Sequence, residues 1–328
     1  MAYTTIDDPE KYFSATLYTG NATARTIATG HQSDLVWLKR RDGAAGHRIA
    51  DSVRGATKLL YSDSTTNEQT DSDSITGFVS TGFTLGDDGG GFDVNTNTNT
   101  MVAWSWKETA DAGFDIVSYT GTGSNTTVSH GLSAVPNMII VKDRDGARNW
   151  TIYHKSIGST KWLQLDGTSA AQTGSPMWQD TDPTSSVFSI GTYAQINTSS
   201  SKYIAYCFKN IQGFSKFGSY KGGTLPFIYL GFKPAYFLLK EASATNGYEW
   251  VVFDNKRDSN NPIGHRLNPS HDRAEYTDLS DVCDFNSNGL KFRAQANNWC
   301  NTDGRTYIYM AFAEAPFVNS KGVPANAR

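Results

Sequence analysis

Apolar and polar positions alternate with a period of two along most of this chain, the spacing of half-buried strands. The stretches HRIADSVRG, NWTIYHKSIG and EWVVFDNKRD all alternate in this way. Three denser apolar runs, SDLVWLK, PNMIIVK and PAYFLLK, end in Lys39, Lys142 and Lys240. Each leads into a turn, RRDGAAG, DRDGAR or EASATNG, and the Asp-Gly pairs of the first two suit a hairpin with φ > 0. Further strands recur as STGFTLG, SSVFSIG and SNGLKFR, and as MVAWSWK, YIAYCFK and YIYMAFA. In the last set Trp104 and Trp106, Tyr206 and Phe208, and Met310 and Phe312 share one face, while Ser105, Cys207 and Ala311 share the other. Strands apolar on both faces belong between two layers. No window keeps a helical stripe, and the best case, SVRGATKLL at residues 52–60, reads equally as strand and turn.

These elements come in one order, three times over. The openings FSATLYTGN, FDIVSYTGTG and FSKFGSYKGG place Phe13, Phe114 and Phe214 about a hundred residues apart. The pattern predicts an all-β protein of three tandem homologous β-sandwich modules of jelly-roll type, at residues 13–107, 114–209 and 214–314. The connectors ETADAG and NIQG are too short to let modules swing, so a single rigid body is expected, compatible with pseudo-threefold symmetry. Residues 1–12 and 315–328 read as extended flanks, the first a docking peptide.

Charged residues are only 19% of the chain and the formal net charge is −3, so a polar surface must come from Thr, Ser, Asn and Gly. Without a basic stripe, nucleic acid is not an expected partner. The opening MAYTTIDDPEKYF has no basic region followed by an apolar core, and no run of about eighteen apolar residues occurs. The expectation is synthesis in a cytoplasm without membrane insertion. Cys207, Cys283 and Cys300 form no C-x-x-C pair, and Cys207 falls where the other copies have Ser105 and Ala311. Cys207 therefore reads as a packing position, and pairing of Cys283 with Cys300 stays open.

Chemistry inherited by all copies would keep its residue type. Four residues after His47, Trp150 and Trp250 stand Asp51, His154 and Asp254, which read as a repeated carboxylate or imidazole site or as polar strand ends that bind a neighbouring turn. Asp71, Asp73, Asp87, Asp88, Asp93, Asp180 and Asp182 cluster in loops; such loops can hold Ca²⁺, but none has the EF-hand spacing. DDGGGFD lacks the GK[ST] of a phosphate loop, and no G-x-S-x-G turn occurs. No catalytic residue, metal ligand or cofactor is assigned, and the chain is expected not to be an enzyme. Trp178 and Trp299, in loops, are the candidate ligand-binding residues, because aromatic faces stack on sugar rings and dominate binding hot spots.

Almost the entire chain resembles virion proteins of marine bacteriophages, through LVWLKRRDG…HRIADSVRG, GFDIVSYTGTGSNTTVSHGLSAVPNMIIVK, SKFGSYKGG…FKPAYFLLK and YIYMAFAEAPFVNSKGVPANAR. The resemblance implies a tail-fibre or virion-surface protein with concanavalin-like lectin modules. The chain lacks the heptads or repetitive shaft of a full-length fibre between Met1 and Phe13. Such a protein is expected to reside in the virion, to associate with other virion proteins as a homotrimer, and to attach to a host glycan or outer-membrane receptor. A capsid-decorating, vertex or tail-adaptor protein is the alternative, and a polysaccharide-degrading spike the lesser one.

Overall fold

The computed structural model describes residues 3–224, 226–243, 247–277, 282–293 and 299–325. The turn expected at EASATNG falls partly outside them. The described residues form antiparallel sheets with two four-residue helices, Ser175–Trp178 and Ala194–Asn197, and one 3₁₀ turn, Pro9–Lys11. None of these helices is long and apolar enough to cross a membrane. Residues 52–60 are turn and short strand, and carry no helix.

One strand order occurs three times. In the first unit it runs Phe13–Thr19, Thr100–Trp106, Leu35–Arg40, Arg48–Asp51. In the second it runs Phe114–Thr120, Lys202–Phe208, Met138–Asp143, Thr151–His154, extended by Lys161–Gln164 and Gln172–Thr173. In the third it runs Ser215–Lys221, Thr306–Pro316, Phe232–Glu241, Val251–Asp254. Each unit also has a smaller sheet: Arg25–Ala28 with Gly82–Leu85 and Ile75–Val79, Thr126–Ser129 with Val187–Ile190, and Phe227–Tyr229 with Gly289–Phe292 and Cys283–Asn286.

The two-faced closing strands explain the layering. Their bulky face points to a core shared by all units, where Trp106, Phe208 and Phe312 meet with ring centroids 5.7–6.5 Å apart. In the first two units their small face, with Ala103 in the first and Ala205 and Cys207 in the second, turns to a local core under that unit's smaller sheet, whereas Ala311 of the third unit belongs to a cluster continuous with the shared core. Cys207 and Cys283 are buried thiols whose pKa values burial raises well above the ordinary range.

Two details bear on the expected module start and flank. Phe13 faces Trp106 and Phe114 faces Phe208, but the residue facing Phe312 is Ser215, so Phe214 lies one place out of register. The extra residue of FSKFGSYKGG is absorbed before the strand begins. Phe214 still packs on Phe312 at 5.6 Å and on Tyr12 at 6.0 Å. The amino-terminal segment, expected as a docking peptide, is seated on the body over its described part. Thr4 and Ile6 are buried, Thr4 donates to Gln212 O (2.8 Å), and Lys107 N donates to Tyr12 O (2.9 Å).

Because Phe208 packs in the shared core against aromatics of the other two units, its loss reaches all three. Phe208→Ala is expected to cost about 3–5 kcal/mol and to lower a single unfolding transition, read by calorimetry. A split into separate transitions would mean that the units melt independently.

Candidate recognition surface

The repeated polar positions Asp51, His154 and Asp254 lie inside the molecule, between units. Asp51 pairs with Arg54 and accepts from the Tyr206 hydroxyl of the second unit (2.7 Å). Asp254 pairs with Arg257 and accepts from the Trp104 indole of the first unit (3.0 Å). His154 takes a hydrogen from the Ser156 amide on Nδ1, so Nε2 carries the proton and donates to Tyr309 O of the third unit (3.2 Å). The contacts therefore run from first to second, second to third and third to first, and close a ring. Burial holds His154 at about 4, neutral, whereas at Asp254 burial is outweighed by Arg257 and the carboxyl lies below its ordinary range. These groups are sealed from solvent, and they join units.

Around the acids, two junctions carry the same ionic network. Arg54 reaches Glu68, which Arg144 of the second unit grips at 2.8 and 3.0 Å; Arg257 reaches Glu275, which Arg41 of the first unit grips at 3.0 and 2.8 Å. At the remaining junction the corresponding positions are Ile157, Ala171 and Ala242. The backbone bond survives in all: Glu68 N to Arg144 O (2.9 Å), Glu275 N to Arg41 O (2.8 Å) and Ala171 N to Ala242 O (3.1 Å).

The lysines that end the apolar runs serve the same ring. Lys39 donates to Asp272 O (3.2 Å), Lys142 to Thr65 O (2.8 Å) and Lys240 to Thr168 O (2.8 Å), each a carbonyl of the preceding unit in the cycle. Burial lowers all three ammonium groups to about 8, so they remain charged at neutral pH. Trp150 and Trp250 likewise donate their indole N–H to Tyr61 O and Gln164 O (both 2.7 Å), and His47 is 3.1 Å from Asn268 O.

The Asp-rich loops are held by their own backbone. Asp88 accepts from the amides of Phe92, Val94 and Asn95 and from the Thr96 hydroxyl (2.7 Å), which explains DDGGGFD as a carboxylate-centred turn. Asp73 accepts from Gly90 N (3.1 Å) and Asp182 from the Tyr153 hydroxyl (3.3 Å). Among the described residues no group of three or more His, Cys, Asp or Glu is placed to hold a metal ion. Of the two candidate tryptophans, Trp178 is 2% exposed in the core of the second unit, edge-on to Tyr153, so its face is closed to a ligand. A hydrophobic residue in a polar turn reads as exposed, whereas SPMW is a helical turn tucked under the sheet. Trp299 is half-buried, with the Arg266 guanidinium 4.4 Å from its ring centre.

What the units present outward is a repeated loop pair. The tyrosine of each opening strand donates to a carbonyl before the closing strand: Tyr18 to Val94 O (2.7 Å), Tyr119 to Ile196 O (2.7 Å), Tyr220 to Cys300 O (2.5 Å). The next residue is a buried asparagine that ties the two loops. Asn95 donates to Thr23 O (2.9 Å), Asn197 to Ser124 O (2.7 Å) and Asn301 to Gly223 O (3.0 Å). The exposed rims beyond these clamps include Ala22 and Thr23, Ser124 and Asn125, and Thr224 and Asp303. Beside the second rim a cleft of about 400 Å³ is lined by Asn125, Ser175, Gln179 and Thr192. The Asn-Thr pairs at 95–96, 197–198 and 301–302 are the sequence signal for this clamp.

One carboxyl at the start of the first connector titrates near neutrality. Burial, with Asp115 and Asp34 nearby, raises Glu108 to about 7, against the amide of Ile116, which favours ionisation. A carboxyl whose folded pKa exceeds its unfolded one favours folding while protonated, and that contribution is lost as pH rises from about 4.5 through 7. Allowing for solvent screening of this half-exposed group, the loss is about 1–2 kcal/mol. Glu108→Gln should therefore gain Tm relative to the parent as pH goes from 5 to 8; a pH-independent difference would reject the assignment. Separately, Asp254→Ala should destabilise by about 3–5 kcal/mol because the buried Arg257 loses its closest carboxylate and keeps only Glu275, and Asp254→Ala with Arg257→Met should cost less than Asp254→Ala alone in urea unfolding.

The chain matches none of the curated proteins with which it was compared. A family model described as Domain of unknown function (DUF7483) matches residues 8–316. That span takes in all three units together with their connectors, and the chain belongs to the DUF7483 family.

Proposed function

We propose that this protein is a non-enzymatic structural component of a bacteriophage virion, the head of a tail fibre or spike, that attaches to a host glycan or outer-membrane receptor through its outer loops. In this reading the three units are jelly-roll or concanavalin-like sandwich modules, packed as one rigid body around a pseudo-threefold axis, and copies of the chain associate as a trimer. The supporting observation is the clamp: Tyr18, Tyr119 and Tyr220, with Asn95, Asn197 and Asn301, fix equivalent loop pairs while the residues beyond them differ in type.

Loops held this way lose little entropy on binding. Several weak contacts on a rigid block multiply through avidity. The resemblance to marine phage virion proteins points the same way.

The purified protein should adsorb to cells susceptible to the virus that carries it, and should compete with that virus for them. Replacing the exposed loop residues Ser124 and Asn125 by Gly should weaken adsorption about tenfold, roughly 1.4 kcal/mol, with Tm unchanged. Absence of both adsorption and competition defeats the attachment reading. Incorporation into particles without any adsorption would instead support a capsid-decorating or adaptor role.

A further inference from the structure

The threefold repetition supplies its own control for surface positions, because equivalent places in the other units show what the scaffold needs. The outward positions of the first strand of each smaller sheet are Thr26 and Ala28 in the first unit and Thr127 and Ser129 in the second. In the third unit they are Phe227 and Tyr229, which are 47% and 50% exposed. The inward residues stay apolar, Ile27, Val128 and Ile228, and all are buried. The facing strand changes in step: Thr26 lies opposite Thr84 and Thr127 opposite Ser189, whereas Phe227 lies opposite Lys291. Folding alone does not call for two large aromatics and a cation on this face, since two sister sheets manage with small residues.

The surroundings define the chemistry. Lys216 donates to Tyr229 O (2.6 Å), with its ammonium 5.1 Å from the Tyr229 ring centre. A neighbouring recess of about 420 Å³ is lined by Tyr3, Asn210, Gln212, Lys216 and Tyr229, with no carboxylate. Asp284, next along the sheet from Lys291, is already bonded by Arg293 at 2.7 Å. Among the described residues neither Lys216 nor Lys291 has a carboxylate within ion-pair distance. On a chain of net charge −3 this face is locally cationic and aromatic.

We propose that the outer face of the third unit's smaller sheet is a binding site for an acidic saccharide, its sugar rings stacking on Phe227 and Tyr229 and its anionic groups meeting Lys291 and Lys216. Aromatic faces offer rigid contact area at low conformational cost. Unpaired ammonium groups draw a negatively charged chain and make its binding sensitive to salt. The inference rests on the glycan arm of the attachment reading, but it concerns a different surface from the clamped loops.

The test uses the full purified chain, with an oligomer of uronic acid as probe, an uncharged oligosaccharide of equal length as control, and titration calorimetry at two salt concentrations. The charged oligomer should bind at least tenfold tighter than the neutral one and weaken as salt rises. Phe227→Ala and Lys291→Met should each weaken it at least fivefold, with the Lys291→Met variant less sensitive to salt. Both side chains are exposed, so Tm should hold; should one variant lose it, the other still decides. Equal affinity for the two oligomers, no binding of either, or binding indifferent to both substitutions overturns the proposal. So does concentration-dependent self-association in sedimentation that Phe227→Ala abolishes, since a second copy would then cover the face. Failure here leaves cell adsorption through the loops measurable on its own, and failure of adsorption leaves oligouronate binding equally measurable.

Discussion

The architecture depends on buried donors that take acceptors from a neighbouring unit. Lys39, Lys142 and Lys240 each point an ammonium group at a carbonyl of a neighbouring unit, and Trp150 and Trp250 do the same with an indole N–H. A buried donor without an acceptor costs about 1–3 kcal/mol, and more when it is charged. Docking of the units is what takes these donors out of water, so each junction must supply their acceptors, and a unit alone would expose an aromatic such as Phe208 that belongs to the shared core. Closing the ring meets both demands at once. The short connectors suit this constraint, because they need only hand the chain from one docked unit to the next.

The junctions solve one geometric problem with two chemistries. Two use an aspartate, two arginines and a glutamate, extended by a hydroxyl or indole donor from the adjoining closing strand. The third uses a neutral histidine, an isoleucine and two alanines, and there the closing strand has Met310, which has no strong donor to offer. His154 compensates by donating to the Tyr309 carbonyl instead. Complete replacement of a buried ionic network by apolar groups is tolerated, whereas loss of a single partner is severe. The change at this junction is of the complete kind: acid, both arginines, glutamate and hydroxyl are all absent together.

Much of this fold is legible in the sequence because repetition and period-two patterning report burial directly. The apolar runs, the two-faced closing strands and the place of Cys207 beside Ser105 and Ala311 all derive from which side chains must leave water. Other features are harder to read. A lysine after an apolar run reads as a strand end reaching solvent, and nothing local reveals that its carbonyl acceptors come from another unit. The D-x-x-R spacing at Asp51–Arg54 and Asp254–Arg257 is present, but its partners Glu68 and Glu275 lie well away in sequence. Trp178 reads wrongly because a polar, small-residue context does not disclose that a four-residue helical turn folds back under its own sheet. Phe214 aligns wrongly because matching letters outweigh strand register, which is fixed by cross-strand bonds rather than by residue type.

Divergence among the units separates what holds the molecule together from what it presents. Where a position carries an inter-unit bond, its chemistry is retained, as at the three lysines, or replaced together with all its partners, as at the apolar junction. The outward positions of the smaller sheets vary under neither restriction, since among the described residues Thr26, Thr127 and Phe227 have no hydrogen-bond partner across a junction to match. A change there leaves the ring untouched. The scaffold can therefore hold identical clamps in all units while one face becomes aromatic and cationic, and that change needs no repacking of the other two units.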